Sequence, residues 1–101
     1  MESTVLRDVL QSWDGYGLDD DIYIRSGAPR DLATEVMIFP FDRVRPRIFG
    51  SWEYLLSFEQ VRDVIEGLER QLGRSTSLEE RAAAVLHYAE QDAFIEPEDL
   101  P

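Results

Sequence analysis

The longest hydrophobic pattern of helical type lies near the end of the chain, from residue 77 to residue 95. Apolar residues recur there at intervals of three and four, which predicts a helix with one apolar face. Ser77 and Glu80 have the spacing of a capping box, so we expect the helix to begin here. We expect it to end at Asp92, a common turn residue, and the apolar residues 94–95 to fold back onto the core.

The same spacing predicts two further helices. Ser57 and Gln60 form a second capping pair, and the helix they begin should end at Gly73, which can take the left-handed conformation common after helices. Only three residues separate Gly73 from the closing helix, so the two helices should pack antiparallel. The other helix lies at the start of the chain, where Ser3 or Thr4 can cap it. Its apolar stripe consists of Val5, Leu6, Val9, Leu10 and Trp13.

Three strands are predicted between the first helix and the second. Residues 21–25 and 52–56 alternate in the manner of strands, and residues 35–41 are apolar on both faces, as in a central strand. The order α-β-β-β-α-α predicts an α+β fold with about three antiparallel strands packed against helices. We expect residues 1–96 to form this single domain and residues 97–101 to be a flexible acidic tail bounded by proline.

Net charge narrows the choice of partners. The chain has 21 acidic residues and ten arginines, without lysine, and its net charge is −11. Such a surface repels nucleic acids and anionic membranes and attracts a basic protein. A charge that serves only solubility is an alternative that stays open.

The densest group of acidic residues consists of Asp19, Asp20 and Asp21. It lacks the alternating D-x-D-x-D-G spacing of a calcium loop, so we predict no metal site. We expect a solvated loop in front of the first strand, whose carboxylates meet Arg or Lys side chains of a protein partner. Asp92 and Glu96 are the next candidates for partner binding.

Other candidate binding residues belong to the strand region. Trp52 and Tyr54 are typical of core or cross-strand packing, but exposed aromatic side chains here would indicate an interface. Arg43, Arg45 and Arg47 alternate in R-V-R-P-R. We expect them to pair with nearby carboxylates rather than to bind an anion.

No pattern in the chain indicates catalysis, a cofactor or a metal centre. There is no Cys, and His87 is the only histidine, which argues against thiolate and multi-histidine sites. Phosphate-binding glycine loops and the G-x-S-x-G nucleophile motif are also absent. We therefore predict a protein without enzymatic activity; a small hydrolase that uses Asp or Glu is the alternative. Because neither a signal peptide nor an apolar run of membrane length is apparent, we expect a cytoplasmic location.

The segment A-A-A-V-L-H-Y-A-E-Q-D-A-F-I, residues 82–95, resembles the C-terminal signature of a family of small acidic bacterial proteins of unknown function. D-I-Y-I at 21–24 and the helix at 60–65 agree with the same pattern. Members of the family resemble immunity proteins, which neutralise toxins in bacterial competition. The resemblance implies a protein that neutralises a toxin and has no catalytic residue. The acidic charge, rather than the resemblance, favours a basic toxin such as a nuclease. A self-associating structural or regulatory subunit, a homodimer that buries Trp52 or Phe39, is the alternative.

Overall fold

The computed structural model describes residues 3–40 and 51–101 of the chain. Short 3-10 turns lie at Trp13–Gly15 and Pro97–Asp99. The strands and helices of the described part are, in order, β1 (Ser3–Val5), α1 (Leu6–Gln11), β2 (Asp21–Arg25), β3 (Glu35–Phe39), β4 (Trp52–Ser57), α2 (Phe58–Leu72) and α3 (Leu78–Gln91). The predicted α+β class is confirmed, but the described residues form four strands rather than three.

All four strands belong to one antiparallel sheet with the order β1-β3-β2-β4. β2 pairs on one side with β3, where Ile24 lies opposite Val36, and on the other side with β4, where Ile22 lies opposite Leu56. The register shifts between Ile22 and Tyr23. Since β3 and β4 both run antiparallel to β2, they flank it in the same direction, and the backbone of β2 is hydrogen-bonded along both edges.

The start of the chain is where the predicted order is wrong. Residues 3–5 were expected to begin a helix, but they form the edge strand β1, in which Thr4 lies opposite Val36 of β3. Ser3 caps no helix, because its hydroxyl donates a hydrogen bond to Glu35 Oε2 at 2.5 Å. Val5 occupies the N-cap of α1 without a side-chain cap. Pairing with the edge of β3 is a tertiary contact, and it overrides the local helical pattern.

The three strands predicted between the helices are present. Residues 21–25 coincide with β2, and the strand predicted at 52–56 is one residue longer, as β4. The strand predicted at 35–41 is seen as β3 up to Phe39. Residues 41–50 lie outside the described part of the chain, and with them lie Arg43, Arg45 and Arg47.

The core lies between the sheet and the helices. Ile22 and Ile24 of β2 and Val36 of β3 project from one face of the sheet and are fully buried. They belong to one cluster with the apolar faces of the three helices. The buried helical residues of this cluster are Leu6, Val9, Leu10, Phe58, Val61, Val64, Ile65, Leu68, Ala82, Ala84 and Val85.

Both predicted capping boxes are present. Ser57 and Gln60 bond reciprocally at the start of α2, and Ser77 and Glu80 do so at the start of α3. Gly73 ends α2 with a φ of 70°, and its N–H donates to the carbonyl oxygen of Glu69. These local signals set the limits of the two long helices.

A polar network joins the three helices beneath their apolar contacts. Arg81 of α3 donates from Nη1 to the carbonyl oxygen of Leu10 in α1, at 3.0 Å, and from Nε to Thr76 Oγ1, also at 3.0 Å. Thr76 in turn donates from its N–H and its hydroxyl to Glu69 of α2, each at 2.9 Å. Arg81 therefore sets the position of α3 relative to both other helices.

The final residues remain close to the domain. Pro97–Asp99 forms a 3-10 turn, and Leu100 is half-buried against the core. The expected flexibility of residues 97–101 concerns their motion in solution, and it stays a prediction.

Gly67 lies in the middle of α2, although its surroundings do not require glycine. A Cβ atom at this position would meet only the Arg70 guanidinium group, at 3.9 Å. We expect Gly67→Ala to raise the free energy of unfolding by up to about 1 kcal/mol, because alanine has the higher helix propensity. Urea denaturation at low protein concentration measures this change. Gly73→Ala is the control, and it should lower stability because alanine is strained at positive φ.

The carboxylate of Glu80 gives the fold a predictable response to acid. Two hydrogen bonds from Arg74, at 2.8 and 2.7 Å, and then the N–H of Ser77 lower the pKa of Glu80 from 4.5 to about 2. The Glu80 carboxyl group therefore binds a proton less tightly in the folded state than in the unfolded state. Its contribution to the free energy of unfolding is complete above pH 4.5 and is lost as pH falls toward about 2. We expect Arg74→Gln to flatten this part of a stability–pH curve, measured by urea unfolding. Arg7→Gln, at an exposed position, should leave the curve unchanged.

Candidate protein-binding surface

The acidic loop in front of β2 is attached to the first turn of α2. β4 passes into α2 without an intervening loop, so the first N–H groups of this helix need acceptors from elsewhere. Phe58 donates to the carbonyl oxygen of Asp20 at 2.9 Å, and Glu59 donates to that of Leu18 at 3.0 Å. These bonds hold the backbone on both sides of Asp19 against the start of α2.

Asp19 and Glu59 thus lie close together on the surface, and both are exposed. They lie at the N-terminal end of α2, where the positive end of the helix dipole favours negative charge. Asp20 is half-buried, and its Oδ2 accepts a hydrogen bond from the N–H of Gly17 at 3.2 Å. Acidic groups can be concentrated here because the helix end offsets part of their mutual repulsion.

Asp21 differs from its two neighbours. It is the first residue of β2, and it pairs with Phe39 on one side and with Ser57 on the other. Only 5% of its surface is exposed. The expectation of a solvated loop is therefore wrong for Asp21, because strand pairing on both sides carries it into the sheet. Glu59, which the sequence did not single out, takes its place beside Asp19 at the surface.

Two large apolar side chains are exposed at the same junction of loop, strand and helix. Leu18, in the acidic loop, is 43% exposed. Tyr54 of β4 is 51% exposed, and its ring packs edge-on against Tyr23 with centroids 5.6 Å apart. The Tyr54 hydroxyl lies 3.4 Å from Oε1 of Gln60, in the first turn of α2. Tyrosine is enriched in protein interfaces, so Tyr54 is the aromatic candidate that remains accessible to a partner.

Trp52, the other aromatic candidate, is more strongly tied to its own sheet. It lies opposite Arg25, whose guanidinium group is 4.3 Å from the centre of the indole ring. Arg25 also forms an ion pair of 2.6 Å with Glu35. Trp52 is half-buried, and Phe39, the other aromatic residue expected in a dimer interface, is only 1% exposed. The single chain already covers Phe39, so this side chain offers little surface to a second copy.

Asp92 and Glu96, the remaining candidates, lie away from the acidic loop. Asp92 ends α3 as expected, with a φ of 53°, and its N–H donates to the carbonyl oxygen of Tyr88 at 2.9 Å. Asp92 and Glu96 are both exposed. The residues between them contact the middle of α2, whereas the acidic loop contacts its first turn. The predicted binding residues therefore fall into two separate groups.

The turn after α3 leaves one apolar side chain uncovered. Ile95 is buried in the core, as expected for residues 94–95, but Phe94 is 59% exposed. Its ring contacts Tyr88, with centroids 5.2 Å apart. Phe94 and Ile95 line one side of a groove of about 760 Å³ along α2. The sequence predicted the turn but not the exposure of Phe94.

The described residues show no arrangement suited to metal chemistry. Within residues 3–40 and 51–101, no three His, Asp or Glu side chains are grouped so that they could hold a metal ion. His87 is half-buried in α3. In the same ranges, no helix combines the length and the apolar character needed to cross a bilayer.

The chain matches a protein family, but it matches no individual protein among those compared. Neither curated proteins nor solved structures contain a match. A family model does match, over residues 3–97, so it spans all the strands and helices described above. The expected relationship to a family without an assigned function is therefore confirmed. The chain belongs to the family described as a domain of unknown function, DUF7716.

Proposed function

We propose that this protein is a non-enzymatic binding protein, and that its partner is a basic protein. The observation that carries the proposal is the surface formed by Leu18, Asp19, Tyr54 and Glu59, which we call the acidic face. It combines two exposed carboxylates with two exposed apolar side chains. Apolar side chains supply much of the binding energy in such interfaces, and the carboxylates select a partner of opposite charge.

The net charge of −11 supports the same partner class. A strongly acidic protein attracts a basic surface over distances longer than a contact, which raises the rate of association. The backbone of the acidic face is held by hydrogen bonds to α2. A rigid surface loses little conformational freedom on binding, which favours affinity.

We further propose that the basic partner is a toxin domain and that the protein acts as an immunity protein. The family resemblance of residues 82–95 is the source of this step. A toxin that acts on nucleic acid carries basic groups for phosphates. Carboxylates of the acidic face would occupy the positions of those phosphates and exclude the substrate. The protein would act in the cytoplasm of the cell that it protects.

Capture of the partner tests the proposal. With the wild-type chain as bait in a lysate of its source organism, we expect one stoichiometric protein with a basic isoelectric point. The captured protein should lose its activity when the chain is added. Recovery of the bait alone, or of an acidic protein, would contradict the proposal. A panel of esterase, phosphatase and glycosidase substrates tests the absence of enzymatic activity.

Charge reversal at the acidic face tests where the partner binds. For the captured protein, we expect Asp19→Arg/Glu59→Arg to lower the association rate constant by about tenfold or more and to flatten its salt dependence. Tyr54→Ala should raise mainly the dissociation rate constant, because it removes an aromatic side chain that the partner would bury. Surface plasmon resonance at several salt concentrations measures both constants.

The matched control reverses two exposed acidic residues elsewhere, Glu79→Arg/Glu98→Arg, with the same change in net charge. It should slow association much less than the variant of the acidic face. Equal effects of the two double variants would show that overall charge, and not this face, directs binding.

A further inference from the structure

On the side of α2 opposite the core, acidic side chains are followed along the helix by a basic side chain. Asp63 and Glu66 lie near its middle, and Arg70 follows one turn later. Residues three and four apart share one face of a helix, so these three side chains form one stripe. Two such stripes placed antiparallel bring acidic residues opposite basic ones, so the stripe is complementary to a second copy of itself.

The helix dipole alone also favours this order of charges within one chain. Two further observations indicate a neighbour. Gly67, beside the stripe, lowers the helix propensity of α2, and the space left by its missing side chain is bordered only by the Arg70 guanidinium group, 3.9 Å from the position of a Cβ atom. Phe94 lies on the other side of that space and is largely exposed. A helix of a second copy could approach closely at Gly67 and cover Phe94.

The groove along α2 has charges that suit a second copy better than a basic partner. Its charged lining residues are Arg62, Asp63, Glu66 and Arg70, so the charges of the lining sum to zero. The entire net charge of −11 comes from residues outside the groove. Two acidic chains repel each other elsewhere, but these parts of their surfaces can meet without a charge penalty.

Arg70 is exposed and accessible to a second chain. It has no ion pair among the described residues, whereas Arg62 contacts Asp63 at 3.3 Å and Glu66 at 3.7 Å. These contacts of Arg62 are exposed, and exposed pairs of this kind contribute little to stability. Asp63 can therefore also accept an arginine from a second chain.

We propose that two copies of the chain form a two-fold symmetric dimer through antiparallel α2 helices, with Gly67 close to the axis. Asp63 of each copy then pairs with Arg70 of the partner subunit, and Phe94 is covered at the edge of the contact. An isologous contact of this kind forms each ion pair twice, and the antiparallel helix dipoles also attract. The dimer uses a surface separate from the acidic face, so it stands or falls independently of the proposed function.

Sedimentation equilibrium tests the dimer. Over protein concentrations from about 1 µM to about 1 mM, the range of weak to moderate affinities, we expect the wild-type mass to rise from 11.7 kDa toward twice that value. Asp63→Arg and Arg70→Glu each place like charges opposite one another, and each should raise the dimer dissociation constant by about tenfold or more. Both residues are exposed on α2, so we expect the variants to fold, and circular dichroism verifies this.

Mixing the two single variants gives the decisive result. In a mixed pair, Asp63 meets the unchanged Arg70 of the other chain, and the substituted Arg at 63 meets the substituted Glu at 70. The mixture should therefore form a heterodimer with an affinity close to that of the wild type, although neither variant dimerises well alone. Glu79→Arg, outside the groove, should leave the dimer unchanged. A monomeric wild type, a dimer insensitive to the single substitutions, or a mixture that stays monomeric would each overturn the proposal.

Discussion

The structure depends on the direct passage of strands into helices. Ser57 is both the last residue of β4 and the N-cap of α2, and Val5 has the same two roles for β1 and α1. No loop absorbs the change of direction, so the sheet determines where each helix starts. The first N–H groups of both helices then bond to carbonyl oxygens of neighbouring loops, at Leu18 and Asp20 for α2 and at Leu32 and Thr34 for α1. Helix, strand and loop are thereby positioned together.

This constraint explains how a surface loop can present charge in a defined geometry. The loop that carries Asp19 supplies the acceptors that α2 lacks, so its backbone is part of the fold. Leu18 and Asp19 of this loop are exposed, and Asp19 and Glu59 both lie at the positive end of a helix. The backbone that carries Asp19 is thus fixed by the fold itself.

α2 offers different surfaces along its length. Its first turn belongs to the acidic face, while its outer side, near Gly67, borders a groove whose lining charges balance. The acidic face is the surface that we propose for a basic protein, and the groove is the surface that we propose for a second copy of the chain. Since the two lie on different parts of the helix, occupation of one does not require that the other be empty. The network around Arg81 joins the start of α3 to α1 and, through Thr76, to Glu69 of α2.

The sequence by itself determined what depends on neighbouring residues. Both capping boxes, the limits of α2 and α3 and the extent of β2 followed from local spacing, because these signals act within one or two turns of chain. Tertiary structure decided the rest. β1 exists because β3 offers an edge for pairing, and Asp21 is buried because strands flank it on both sides. The backbone around Asp19 is bonded to the start of α2, and Phe94 stays exposed, through packing between distant segments, which periodicity along the chain does not encode.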